Sequence, residues 1–183
     1  MNFADIVGLQ AGEAANAAGG ATTGFGAALV YAVTYENRPN AMGEAILGRA
    51  NPTAAFGWER SFHIDAPHGR VSSYHLNADV GPLSSAWNHT PVPEWLYRAT
   101  STTTLRNVGR ASVALGLALD AADILTACDT GRAVGGAAGG WAGAIVGAEI
   151  GSMVIPGLGT VVGGLVGGFV GSITGQYFGA SIF

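Results

Sequence analysis

All four histidines of this 183-residue chain fall in one stretch: His63, His68, His75 and His89. Carboxylates and amides accompany them, as His63-x-Asp65-x-x-His68, then His75-x-Asn77-x-Asp79, then Asn88-His89. Imidazole and carboxylate on one strand face can hold a divalent metal ion, and His63, Asp65 and His75 are the candidate ligands. The same groups can act as general base and electrostatic stabiliser in phosphodiester or glycosidic hydrolysis. That makes His63, Asp65, His68 and His75 the catalytic candidates. The spacing matches no zinc motif. A polar hairpin face, whose imidazoles cap turns and bond backbone carbonyls, accounts for the same residues. The sequence implies no cofactor.

The elements that must carry these residues read as a β-hairpin. FGWERSFHID alternates near its end, with Phe62 and Ile64 on one face and His63 and Asp65 on the other. APHGR supplies a turn, and VSSYHLN alternates again. Pairing Asp65 with Val71 places His63, Asp65, His75 and Asn77 on one face, and a one-residue slip would split them. Trp58, Trp87 and Trp95 flank the region and are expected to fill a small core beneath it.

A second pattern dominates the end of the chain. Gly135, Gly139, Gly143, Gly147 and Gly151 recur every four residues. After Pro156-Gly157, the spacing resumes with Gly159, Gly163, Gly167, Gly171, Gly175 and Gly179. Glycine costs a helix about 1 kcal/mol against alanine. The compensation is close backbone approach, because four-residue spacing puts these glycines on one helix face. Two helices of about 20 residues, each long enough to cross a hydrocarbon core, are predicted over 133–155 and 158–182. The short link makes them an antiparallel hairpin. The hairpin reads as a membrane-inserting element, a buried core or assembly element, or a metastable element sheltered until it meets a membrane. From Ala133 onward the only charged side chain is Glu149. A carboxylate in an apolar helix is costly unless paired or protonated, so Glu149 is a candidate pH switch.

Between these patterns, a polar stretch at Thr100–Thr104 caps a partly polar amphipathic helix over 105–127. Upstream, residues 1–18 have helical spacing that Gly19-Gly20 is expected to end. The run Gly24–Glu36 reads as either a strand or a short buried helix. A helical turn is expected over Met42–Leu47.

Net charge is −4, and all eight basic residues are arginine. The acidic balance argues against nucleic acid as a partner. The single cysteine, Cys128, excludes an internal disulfide and is expected to be a buried thiol. The N-terminus lacks a basic segment before an apolar run, so it is no conventional signal peptide. Export would then be signal-independent, or delivery by a larger system.

The stretches GWERSFHIDAPHGRVSSYHLNADVGPL and NHTPVP, LRNVGRASVALGLALDAADI, and GGWAGAIVGAEIGSMVIPGLGTVVGGLVGG together resemble the C-terminal modules of bacterial polymorphic toxins of the Rhs-associated type. The PHG turn with its flanking histidines is the more specific part. The resemblance implies an antagonistic effector, for which delivery to a target cell is the expected route and an immunity protein is a candidate partner. It implies no particular reaction.

The expected fold is α+β: a small β-hairpin or sheet region, an amphipathic helix, then an antiparallel glycine-zipper helical hairpin. The expected divisions are 1–99, an α+β region bearing the histidines; 100–132, the amphipathic helix and connector; and 133–183, the zipper hairpin. The leading functional expectation is a membrane-active toxin whose hairpin inserts and homo-oligomerises to permeabilise a target membrane. The alternatives are a small metal- or His-dependent hydrolase or nuclease, and a self-assembling structural protein.

Overall fold

A 29-residue helix, α1 (Phe3–Tyr31), opens the chain and runs into a π-helical turn, Ala32–Glu36. The computed structural model describes residues 3–36, 45–47, 62–77 and 88–182. Four short strands follow: β1 (Ala45–Leu47), β2 (Phe62–Asp65), β3 (His75–Asn77) and β4 (Thr90–Pro91). They join in that order into one antiparallel sheet. Helices α2 (Glu94–Ala99), α3 (Thr102–Thr126), α4 (Thr130–Val154) and α5 (Leu158–Ile182) complete the chain. The fold is α+β, ending in a glycine-zipper helical hairpin. The expected helical turn at Met42–Leu47 is replaced, over Ala45–Leu47, by strand β1.

The start of the chain departs furthest from expectation. Gly19-Gly20 does not end a helix; α1 runs straight through it. The reason is packing. A β-carbon on Gly20 would lie 2.7 Å from the Gly168 carbonyl oxygen and 2.9 Å from Ser172 Cβ. One on Gly26 would lie 2.7 Å from the Val113 backbone nitrogen. These glycines are contact points between helices, and tertiary contact outweighs their weak helix propensity. Helix α1 is thus a third zipper helix, set against α4 and α5 on one side and α3 on the other.

Helices α4 and α5 meet through their glycine ladders. A β-carbon on Gly139 would lie 2.8 Å from Gly175 Cα, and one on Gly143 would lie 2.8 Å from Gly171 Cα. Nothing larger than hydrogen fits along this seam. The reversal at Pro156-Gly157 needs its glycine, whose φ is 79°. Side-chain caps start the preceding helices: Ser101 Oγ accepts from Thr104 N at 3.3 Å, and Asp129 Oδ1 accepts from Arg132 N at 2.9 Å.

The helical bundle has its polarity reversed. Asn16, Thr23, Thr160, Ser172 and Gln176 are buried between helices. Ile145, Val146, Ile150, Leu165, Val166, Phe169, Val170, Tyr177 and Phe178 of the hairpin are exposed. Asn16 is a hub. Its amide donates to Ala133 O at 3.0 Å and to Asp123 Oδ2 at 2.7 Å, and its Oδ1 accepts from Ser172 Oγ at 3.1 Å. One α1 side chain thereby ties α3, α4 and α5 together. On α3, burial pushes the Asp120 carboxyl above the ordinary Asp range, opposed by the nearby Trp141 side chain. Asp123 is raised too, again by burial, with the Asn16 hydrogen bond opposing. Cys128 is exposed, contrary to expectation. It lies in the connector between α3 and α4, outside the helix contacts.

Candidate functional site: the zipper hairpin and the histidine face

The ladder glycines pair across the hairpin, Gly135 with Gly175 and Gly179 at one end and Gly151 with Gly159 at the other. A second column on each helix receives α1: Gly136, Gly140 and Ala144 on α4, and Thr160, Gly164, Gly168 and Ser172 on α5. The outward columns are left to Val146, Ile150, Val154, Val162, Val166 and Val170, which wall an open groove floored by glycines. Leu158–Ser181 is long and apolar enough to cross a membrane, and only 28% of its most apolar window is buried. Glu149 is exposed on α4.

The hairpin's turn is held from α1. Glu36, at the end of the π-helical turn, is a buried carboxylate. It accepts from Gly157 N at 2.7 Å, from Thr160 Oγ1 at 2.6 Å, and from Ser152 Oγ. Gly157 and Thr160 lie at the start of α5, where unpaired N–H groups and the helix dipole favour an anion, and Ser152 lies in the last turn of α4. Sequence reasoning missed Glu36 and Asn16. Their signal is the four-residue run Gly12, Asn16, Gly20, Gly24, Ala28, Ala32, Glu36, which has the period of the later ladders.

On the sheet, Asp65 pairs with His75, and His63 with Asn77. Asp65 does not pair with Val71. A tighter turn intervenes, in which His68 and Val71 exchange backbone hydrogen bonds at 3.0 and 2.9 Å. The register differs from expectation by an even number of residues, so the face is preserved. His63, Asp65, His75 and Asn77 are all buried. His68 joins them from the turn, its ring 5.0 Å from that of His75, and the His89 ring lies 5.2 Å from His75 on centroids.

Hydrogen bonds fix the orientation of each group. Asn77 Oδ1 accepts from His89 N at 2.8 Å, which turns its amide nitrogen toward Asp65 Oδ2 at 2.8 Å and His63 Nε2 at 3.2 Å. His68 Nδ1 lies 2.9 Å from Ala66 O, and His75 Nδ1 lies 2.9 Å from Ser73 O. A carbonyl only accepts, so both Nδ1 atoms carry a proton, and in the neutral ring Nε2 presents the lone pair. Asp65, His68 and His75 each offer one ligand atom, all within 4.8 Å of one another. Of the catalytic candidates, these three converge, while His63 faces Asn77 and lies 3.4 Å from Asp65 Oδ2. Trp95 is exposed on α2 and fills no core. Trp58, Trp87 and Asp79 lie outside the described residues.

Residues 124–178 match a family described as C13G5.2-like, glycine zipper domain. The match spans the end of α3, all of α4 and most of α5, so this part of the chain is a glycine-zipper domain. No curated protein matches the chain, and no solved structure matches it.

Proposed function

We propose that the chain is a membrane-active effector whose zipper hairpin enters a target bilayer and self-associates to permeabilise it. The observation that carries this reading is the reversed polarity of the bundle. Water-soluble folds bury large apolar residues and expose polar ones. Here Asn16, Thr23, Thr160 and Ser172 are inside, and valine, leucine, isoleucine and phenylalanine of α4 and α5 are outside. Small residues at helix contacts, with a few interhelical hydrogen bonds, are how helices associate in lipid. The hairpin is the spanning element in this reading. Helix α3, which carries Arg106, Arg110, Asp120 and Asp123, lies behind α1 and faces an aqueous phase. Protonation of Glu149 removes the one charge from Ala133 onward and favours entry. The resemblance to polymorphic-toxin modules supports an antagonistic role, with delivery to a target cell and an immunity protein as partner.

The test is dye release from liposomes by the purified chain at neutral and mildly acidic pH. Release is expected, and is stronger in acid. A folded protein that releases no dye at either pH overturns the reading. Discrete particles formed without lipid would instead make the exposed hairpin face an assembly surface.

A further inference from the structure

We infer that Asp65, His68 and His75 form a binding site for a zinc-type divalent cation. Zinc takes imidazole nitrogen and carboxylate oxygen at about 2.0–2.2 Å, which sets tetrahedral ligand atoms about 3.3 Å apart. His75 Nε2 lies 3.6 Å from Asp65 Oδ2, too far for a hydrogen bond and close to that ligand–ligand edge. His75 is fully buried, and its Nε2 has no hydrogen-bond partner among the described residues. The same holds for Oδ1 of buried Asp65. A buried polar atom without a partner is costly, and a cation held between His75 Nε2 and the Asp65 carboxylate lowers that cost.

The surroundings have the features of a metal site's outer layer. Each liganding imidazole donates its Nδ1 proton to a backbone carbonyl, His68 to Ala66 and His75 to Ser73, which leaves Nε2 available. Asn77 donates to Asp65 Oδ2 at 2.8 Å and holds the carboxylate in place. His63 is the neighbour whose lone pair is already taken, by the Asn77 amide at 3.2 Å, so it stands outside the ligand set. Strand β2 supplies Asp65 and β3 supplies His75, so both are rigidly placed. His68 sits half-buried on the turn between them and can close on the ion. Two imidazoles and one carboxylate leave a fourth position for water. This site is independent of the hairpin and of its action on membranes.

The full-length protein, stripped with chelator, is titrated with Zn2+, and with Co2+ as a spectroscopic probe. One equivalent of tightly held Zn2+ is expected, with a four-coordinate Co2+ absorption spectrum. His68→Ala, on the half-buried turn, should retain the fold by circular dichroism and weaken Zn2+ affinity by about 100-fold or more. His63→Ala should change affinity by no more than about 10-fold, the low end of outer-layer effects. A folded protein that retains no Zn2+ after dialysis overturns the assignment. So does a His68→Ala protein with unchanged affinity. Greater loss with His63→Ala than with His68→Ala overturns the proposed ligand set.

Discussion

The carboxylate of Glu36 accepts a hydrogen bond from Thr160 Oγ1 at 2.6 Å, joining residues 124 positions apart in the chain. Gly157 N and Ser152 Oγ donate to the same carboxylate. One buried side chain therefore sets the height of α1 against the hairpin turn. Glu36→Ala leaves these donors unpaired inside the protein and should lower stability by about 3 kcal/mol. Denaturation of the purified protein checks it. Glu149→Gln, on an exposed residue, should stay within about 0.5 kcal/mol. Equal effects of the two substitutions would show that Glu36 holds nothing together.

The glycine seam tolerates no bulk. Gly143→Leu on the α4–α5 face, or Gly20→Leu on the α1 face, drives a side chain into backbone already within 3 Å of its β-carbon. Each should cost about 3 kcal/mol or more. Ala142→Leu, on the exposed side of α4, should be tolerated. Melting temperatures of the three variants decide the matter, and a stable Gly143→Leu protein would remove the seam from the account.

Burial raises the Asp120 carboxyl above its ordinary value of 3.8. The folded protein then binds this proton more tightly than the unfolded chain does. The resulting penalty is full above the raised folded value and is relieved progressively as pH falls toward 3.8. Asp120→Asn should raise the melting temperature at neutral pH and flatten its dependence on mild acid. Lower stability of the Asn variant at pH 7 would mean that the charged form is favoured by the fold.

The exposed hairpin face makes its own prediction. Val166→Lys places a charge on that face without touching a helix contact. A charge carried into hydrocarbon costs about 3 kcal/mol, which is roughly a 100-fold loss of partitioning. Vesicle flotation measures it. Unchanged binding by a folded Val166→Lys protein would place the membrane contact elsewhere.

Much of the architecture was legible from period alone. The α4–α5 glycines share a face because four residues nearly complete a helical turn, and the short link at Pro156-Gly157 leaves only an antiparallel hairpin. Alternation likewise put His63, Asp65, His75 and Asn77 on one strand face, and an even register difference could not undo it. Local sequence failed at α1, where Gly19-Gly20 reads as a helix stop. What keeps the helix continuous there is Gly168, Ser172, Gly116 and Asp120, all more than 90 positions away.

What the sequence determined by itself is the set of faces, because side-chain direction follows from local backbone geometry. Only the tertiary structure decided which faces meet. Docking of α1 into the hairpin buries Asn16 and Glu36 on partners that no local pattern identifies, and it leaves the apolar columns of α4 and α5 outside. The turn at His68–Val71 likewise brings His68 to Asp65 and His75, from a segment between the two strands. Both outcomes depend on contacts between distant segments, whose energies are settled by complementary shape and hydrogen-bond pairing once the chain has folded back on itself.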